Sequence, residues 1–290
     1  MSNVSEPLRR PGIATRGDAV DGAGRGFVQL RRSGERTAVT RGLANEPLKL
    51  LFPRAVGPLA WVVCSTYGGG LVGGDAIDLT VDAGPATRCL LGTQASTKVY
   101  RTAGPGCGQS LTVRAGDGAI VVSAPDPVVC FAGARYGQRQ RFDLAATASV
   151  AAIDWFTSGR HARGERWAFD AHETRTDVYV DGQLIFRDAT RLSPADGLVA
   201  GPMRTGGFVC IATVLLVGPA LRSVADDVLR FVAAQPPGTA DGLLFSASPI
   251  PDGAILRVAG PGAEPVGQWI KARLAGMANV IGQPIWTRKW

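Results

Sequence analysis

Glycines 68, 70 and 73 of the stretch YGGGLVGGD (67–75) stand in the G-x-G-x-x-G spacing that opens dinucleotide-binding folds. That fingerprint works by setting a pyrophosphate on the N-terminus of the helix that follows it. Here the next residues are DAIDLTVDAG, in which Ile77, Leu79 and Val81 alternate with Asp78, Thr80 and Asp82. A period of two is a strand with one wet face, not a helix. Asp75 and Asp78 would also repel a phosphate, and Asp75 stands where a Walker loop needs its lysine. The stretch therefore reads as a tight corner. Gly70, Gly73 and Gly74 let the backbone take positive φ or let another strand come close, and Asp75 belongs to the same motif.

Other chemistry finds little support. Nucleophilic catalysis needs a base, and the only histidines are His161 and His172. Ser65, Ser96 and Ser158 lack the G-x-S-x-G frame of a nucleophile elbow, and nothing in the spacing favours a Cys–His pair. For a metal, His161 and His172 lie eleven residues apart in what read as separate loops. Asp126 or Cys130 could join one of them in space, but Cys130 alternates with Phe131 and reads as core. The oddest polar segment is TQASTKVYRT (93–102), which holds Thr93, Gln94, Lys98, Tyr100 and Arg101. As one strand it puts Gln94, Ser96, Lys98 and Tyr100 on one face. That face is either solvated, or a polar surface that orders a partner or lines a channel. SGRHARGE (158–165) adds Arg160, His161, Arg163 and Glu165.

The elements that must carry these residues are mostly strands. LTVDAGPATRCLLGTQASTKVYR (79–101), LTVRAGDGAIVVSAPDPVVCFAG (111–133) and FDLAATASVAAIDWFTSGRHARG (142–164) share one plan. Each starts with an alternating strand, turns at small residues, runs an apolar strand and ends in a polar loop. Offsets of 32 and 31 residues point to stacked units that bury their faces on one another. The expected fold is mainly β, a helicoidal stack of strand pairs in one domain over 25–290. Hairpins are expected around Ser33-Gly34 and Asp181-Gly182. Two helices are expected, over 219–235 between Pro219 and Pro236, and over 264–280, where Val266, Ile270, Leu274 and Met277 recur at helical spacing.

Composition narrows the setting. Among 290 residues the net charge is +7, and 27 of the 31 basic residues are arginine. This reflects either arginine-biased coding or a positive surface for an acidic partner protein. No run of five like charges and no nucleic-acid motif accompanies it. Residues 1–24 are polar and rich in Gly, Pro and Arg, and read as a disordered tail with no secretory h-region. The longest apolar run, Phe208 to Val217, is far short of the ~20 residues of a membrane span. Five widely spaced cysteines without a C-x-x-C suggest neither a zinc ribbon nor a disulfide framework, so a reducing cytoplasm is expected.

Four motifs in order, GGGLVGGD, TQASTKVYRT, PDPVVCFAGARYGQRQ and SGRHARGERW, resemble the urease accessory protein UreD (UreH) family over most of the chain from Gly26 onward. Many bacterial members carry a Pro-Gln-Glu-type segment where this chain has APDPVVCF (124–131). The resemblance implies a helicoidal β protein that is not an enzyme. It implies a scaffold that joins UreF-like and UreG-like accessory proteins, docks on apo-urease and helps convey nickel to the urease active site, with no tightly bound cofactor. On that reading Asp126, His161 and Glu165 are candidates for a transient nickel path, and Lys98 and Arg101 for docking. The alternatives are a β-rich enzyme acting on a small polar substrate through Asp126, His161 and Arg160, or a metal-free β-repeat interaction protein.

Overall fold

The computed structural model describes residues 23–54, 57–236, 238–240 and 242–286. The tail expected over 1–24 lies, but for its last two residues, outside them. The strands are β1 (Arg25–Ser33), β2 (Arg36–Ala44), β3 (Leu48–Leu51), β4 (Ala60–Thr66), β5 (Ala76–Ala83), β6 (Arg88–Thr93), β7 (Thr97–Val99), β8 (Cys107–Ala115), β9 (Ile120–Ser123) and β10 (Val128–Cys130). They continue with β11 (Arg135–Leu144), β12 (Ser149–Thr157), β13 (Ala171–Val180), β14 (Gln183–Leu192) and β15 (Cys210–Val217). Then come α1 (Arg222–Ala233), β16 (Thr239–Ala240), β17 (Leu243–Ile250), β18 (Gly253–Gly260), α2 (Ala263–Arg273) and α3 (Met277–Ile281).

Two sheets face each other. The first runs β14-β13-β11-β8-β5-β1-β2, the second β16-β17-β18-β15-β12-β9-β6-β4-β3. From β4 to β13 the chain passes back and forth between them, and like strands stack in parallel. The result is a mainly β, two-sheet solenoid of ~4 turns, as the repeat implies. Its period differs in one place. Leu79 sits beside Leu111, 32 residues on, but Leu111 sits beside Gln140, 29 residues on, and not beside Phe142. The slip is two residues, so every side chain keeps its face.

That face is the core. Val28, Val81, Val113, Phe142 and Val178 lie side by side across the first sheet, all 0% exposed. Opposite them, Cys89, Val121, Val150 and Val217 form a matching row at 0%. Each such burial is worth about 1.5–3 kcal/mol against exposure. A second core lies between the other side of the second sheet and the helices.

Hairpins close the first sheet at both ends. The turn after β1 falls at Gly34-Glu35, one residue beyond expectation, because Ser33 still pairs with Arg36. Asp181 and Gly182 form the expected turn, with φ of 47° and 80°, as a two-residue hairpin requires. The helix expected over 219–235 begins as a single turn at Pro219–Leu221 and continues as α1. The one expected over 264–280 is two helices. After Arg273 the bonds tighten, with the Met277 amide on the Leu274 carbonyl at 3.0 Å, and the chain restarts as α3 so that Met277 and Ile281 are sealed at 0%.

Candidate functional site

Each turn leaves the second sheet and reaches the first through a corner, and the corners stack. The Leu71 amide donates to the Lys98 carbonyl at 2.8 Å and receives the Tyr100 amide on its own carbonyl at 2.9 Å. The Phe131 amide donates to Val99 at 2.9 Å, Thr102 to Gly133 at 3.1 Å, and Gly133 to Ala168 at 2.9 Å. The Arg135 amide donates to the Thr102 hydroxyl at 2.7 Å. The sequence motifs are therefore neighbours in space. Their order along the chain is the order of the corners.

The glycine corner holds its part by close approach. Gly70 is extended, with φ of 168°, and a Cβ there would come within 2.5 Å of the Lys98 carbonyl and 2.6 Å of the Tyr100 ring. A Cβ on Gly73 would lie 2.9 Å from Thr102 Cγ2, while Gly74 takes positive φ, 90°. The Asp75 carboxylate receives the Val72 amide at 2.9 Å. No helix follows, so the nucleotide cradle is absent in geometry as in sequence.

At the fourth corner Glu165 is bound to Arg160. It also receives the Ala132 amide at 3.3 Å and the Arg160 amide at 3.4 Å. The Arg160 guanidinium beside it, then these amides, hold its carboxyl below the usual range. Arg160 lies 4.4 Å over Phe131, whose ring meets Tyr100 edge-on at 5.2 Å. His161 stands exposed in a short turn, His161–Arg163. Lys98 and Arg101 are exposed, with Arg101 laid across Gly133.

Asp126 lies elsewhere. TQASTKVYRT is not one strand. β6 ends at Thr93, the chain bends at Gln94-Ala95, and β7 resumes beside β10. The next turn is likewise cut between β9 and β10 by Pro125, Asp126 and Pro127, which cannot keep a ladder going. The Asp126 amide donates to the Thr93 hydroxyl at 2.7 Å, and the Ser65 hydroxyl donates to Gln94 at 2.8 Å. Between the sheets, under these two interruptions, is a cavity of about 390 Å³ whose walls include Gln94, Lys98, Asp126, Gln138, Gln140 and Asp154. A smaller recess of about 80 Å³ lies on the helix side of the second sheet, against α2. The two share Gly92, Thr93, Gln94, Pro125, Asp126 and Trp155 as walls.

Asp154 is the group that sequence reasoning missed. Its signal was a lone carboxylate in the apolar strand SVAAIDWFT. Asp154 lines the cavity. The Gln138 amide donates to it at 2.9 Å and itself receives the Tyr136 hydroxyl at 2.8 Å. Burial pushes its carboxyl up to about 6, against the hydrogen bonds from Gln138 and Thr174 that pull it down.

His172 is in β13 and not in a loop, 0% exposed. Its ring stacks on Phe156 at 4.1 Å, and Nδ1 faces the Cys130 sulfur at 3.6 Å. Burial drives the imidazole down to about 3 and the Cys130 thiol well above its ordinary value. A neutral thiol beside a neutral ring is no activated nucleophile, and Cys130 is core at 1% exposure. Among the described residues no group of three or more His, Cys, Asp or Glu is placed to hold a metal. His161 and Glu165 share the fourth corner while Asp126 lines the cavity, and among the described residues the three do not form one metal site. Among the described residues no helix is long and apolar enough to cross a membrane.

The fold and the site define a two-sheet β-solenoid whose motif residues brace its own corners and whose buried polar groups wall an internal cavity. Residues 23–290 match the family described as UreD urease accessory protein. The urease accessory protein UreD of Anaeromyxobacter sp. (strain Fw109-5) is 43% identical over 90% of this chain and 87% of its own length. That of Sorangium cellulosum (strain So ce56) is 43% identical over 92% and 85%. Urease accessory protein D of rice (Oryza sativa subsp. japonica) is 32% identical over 93% and 96%. The chain belongs to the UreD urease accessory protein family and is a non-catalytic factor of urease maturation.

Proposed function

We propose that the chain is the cytoplasmic scaffold of a urease maturation assembly, joining UreF-like and UreG-like proteins to apo-urease, and that its cavity passes nickel onward as cargo. The observation that carries this is the cavity itself, with one carboxylate inside, Asp154, and another, Asp126, in the wall shared with the outer recess. Separate carboxylates among amide and hydroxyl oxygens suit a hydrated divalent ion held briefly. Closely set thiolates and imidazoles would trap it. Lys98 and Arg101, exposed on neighbouring corner residues, suit carboxylates of a docking partner.

The test is a pull-down run beside a nickel assay on the matured urease. Asp126→Ala and Asp154→Asn are expected to leave the complex intact while lowering nickel content and urease activity. Lys98→Ala and Arg101→Ala are expected to weaken the complex itself. The division fails if Asp126→Ala breaks the complex as badly as Arg101→Ala, or leaves urease fully loaded.

A further inference from the structure

The helix side carries a cation that no described carboxylate neutralises. Arg273 is the last residue of α2, and its guanidinium carbon lies 3.7 Å from the Phe231 ring centre on α1 and 6.0 Å from that of Trp269 on its own helix. Phe245 of β17 completes the frame, 4.7 Å from Trp269 and 6.3 Å from Phe231. All three rings and Arg273 are only half-buried. Nε of Arg273 is out of water with no acceptor among the described residues. Of the acids on these helices, Asp227 pairs with Arg230 and Glu264 accepts from Gln268, while Asp226 is exposed.

Burying a donor unsatisfied is costly. Resting the guanidinium on aromatic faces offsets part of that cost and fixes the plane of its fork before anything binds. A pre-set arginine among half-exposed aromatic rings is the composition of an interface hot spot.

We propose that Phe231, Phe245, Trp269 and Arg273 form a docking platform for an acidic segment of a partner protein, one carboxylate taking the Arg273 fork and apolar side chains covering the rings. Charge and rim together select this occupant. The fork suits a carboxylate, and Val232 and Ala247, partly buried in the same helix-side cluster as the rings, are apolar. A nucleic acid would need several cations along its backbone, and the platform offers one. α2 also walls the outer recess through Glu264, Gln268 and Lys271, so a segment laid across it reaches the recess walled by Asp126. The maturation reading above enters only in naming which proteins supply the segment.

Two measurements test this. In cells making the chain with urease and its accessory proteins, Arg273→Gln is expected to lower retained partner about tenfold. Arg273→Lys, which keeps charge without the fork, should fall between, and both variants should keep the wild-type Tm within about 3 °C. Separately, the purified chain is titrated with a synthetic peptide of Leu and Glu, its Leu and Gln counterpart, and inorganic polyphosphate, reading tryptophan fluorescence. A saturable change with the Glu peptide alone, lost in Arg273→Gln and in Trp269→Phe, is expected. An equal response in Arg273→Gln, a response to polyphosphate instead, or no response to the Glu peptide overturns the platform. A complex retained equally by wild type and Arg273→Gln overturns it while sparing the maturation reading. A wild-type chain that binds the Glu peptide but retains no urease protein does the reverse.

Discussion

The space between the two sheets has two characters, built from the same strands. β11 contributes Phe142 and Leu144 to a sealed apolar half and Gln138 and Gln140 to the walls of the cavity. β12 contributes Val150 and Ala152 to the first and Asp154 to the second. All of these side chains face inward. What differs is the opposing cover. In the sealed half β6 and β9 run unbroken. Over the cavity they stop, at Thr93 and Ser123, and the chain bends away before β7 and β10 resume. The lesson is that one sheet's interruption decides whether a neighbouring inward residue must be apolar. A gap of two strands' width turns the same face from core into a wet wall.

The largest effect expected from this contrast is in the sealed half. Phe142→Ala leaves a void among residues that cannot collapse, and should cost about 3–5 kcal/mol in chemical denaturation. A loss below about 1 kcal/mol would mean the half is not close-packed.

Acid should then divide the two halves. His172, sealed behind Phe156 and Tyr136, has its folded pKa lowered from 6.5 to about 3. The unfolded chain therefore binds a proton there first. Stability contributed by the neutral ring is complete above pH 6.5 and falls as pH drops toward 3, by about 1.4 kcal/mol per pH unit. His172→Phe should flatten that part of the profile relative to wild type. Parallel profiles would show that the ring takes its proton while folded.

Asp154 has the opposite sign, and the effect should be the smallest. Its folded pKa is raised from 3.8 to about 6, so the folded state holds the proton more firmly. Its contribution favours folding below pH 3.8 and is lost as pH rises toward 6. Asp154→Asn should remove this decline and otherwise stay within about 1 kcal/mol of wild type. A larger loss would mean that the carboxylate braces the fold and does not merely line a cavity.

Much of this was legible in the residues. Alternation named the strands, the 32-residue offset named the stack, and Asp75 argued against a phosphate at the glycine corner. The third unit was misplaced by two residues because a period of two cannot register an even slip. TQASTKVYRT read as one strand because its break depends on what lies across from it. Gln94 turns aside to Ser65, a residue 29 positions away. Pro125 and Pro127 gain their meaning only where β9 and β10 stop on either side of them, beside the break in the turn before. Asp154 went unnoticed for the same reason, since a carboxylate in an apolar strand gains meaning only from the missing cover opposite. In the helix expected over 264–280, the periodicity survived a break that the pattern alone does not show.

The hairpins at the ends of the first sheet have a consequence of their own. A parallel stack contains no rule for its length, and a bare end would accept another copy of the chain as readily as its own next turn. β2 and β14 run antiparallel to the stack and each carries a bulge, opposite Gln29/Leu30 and Val178/Tyr179. They present an arriving parallel strand with reversed polarity and a kinked rail. Turns could thus be inserted or lost between them over generations while both terminators stayed put, and the molecule remains a finite particle where the same winding, left open, would propagate as a filament.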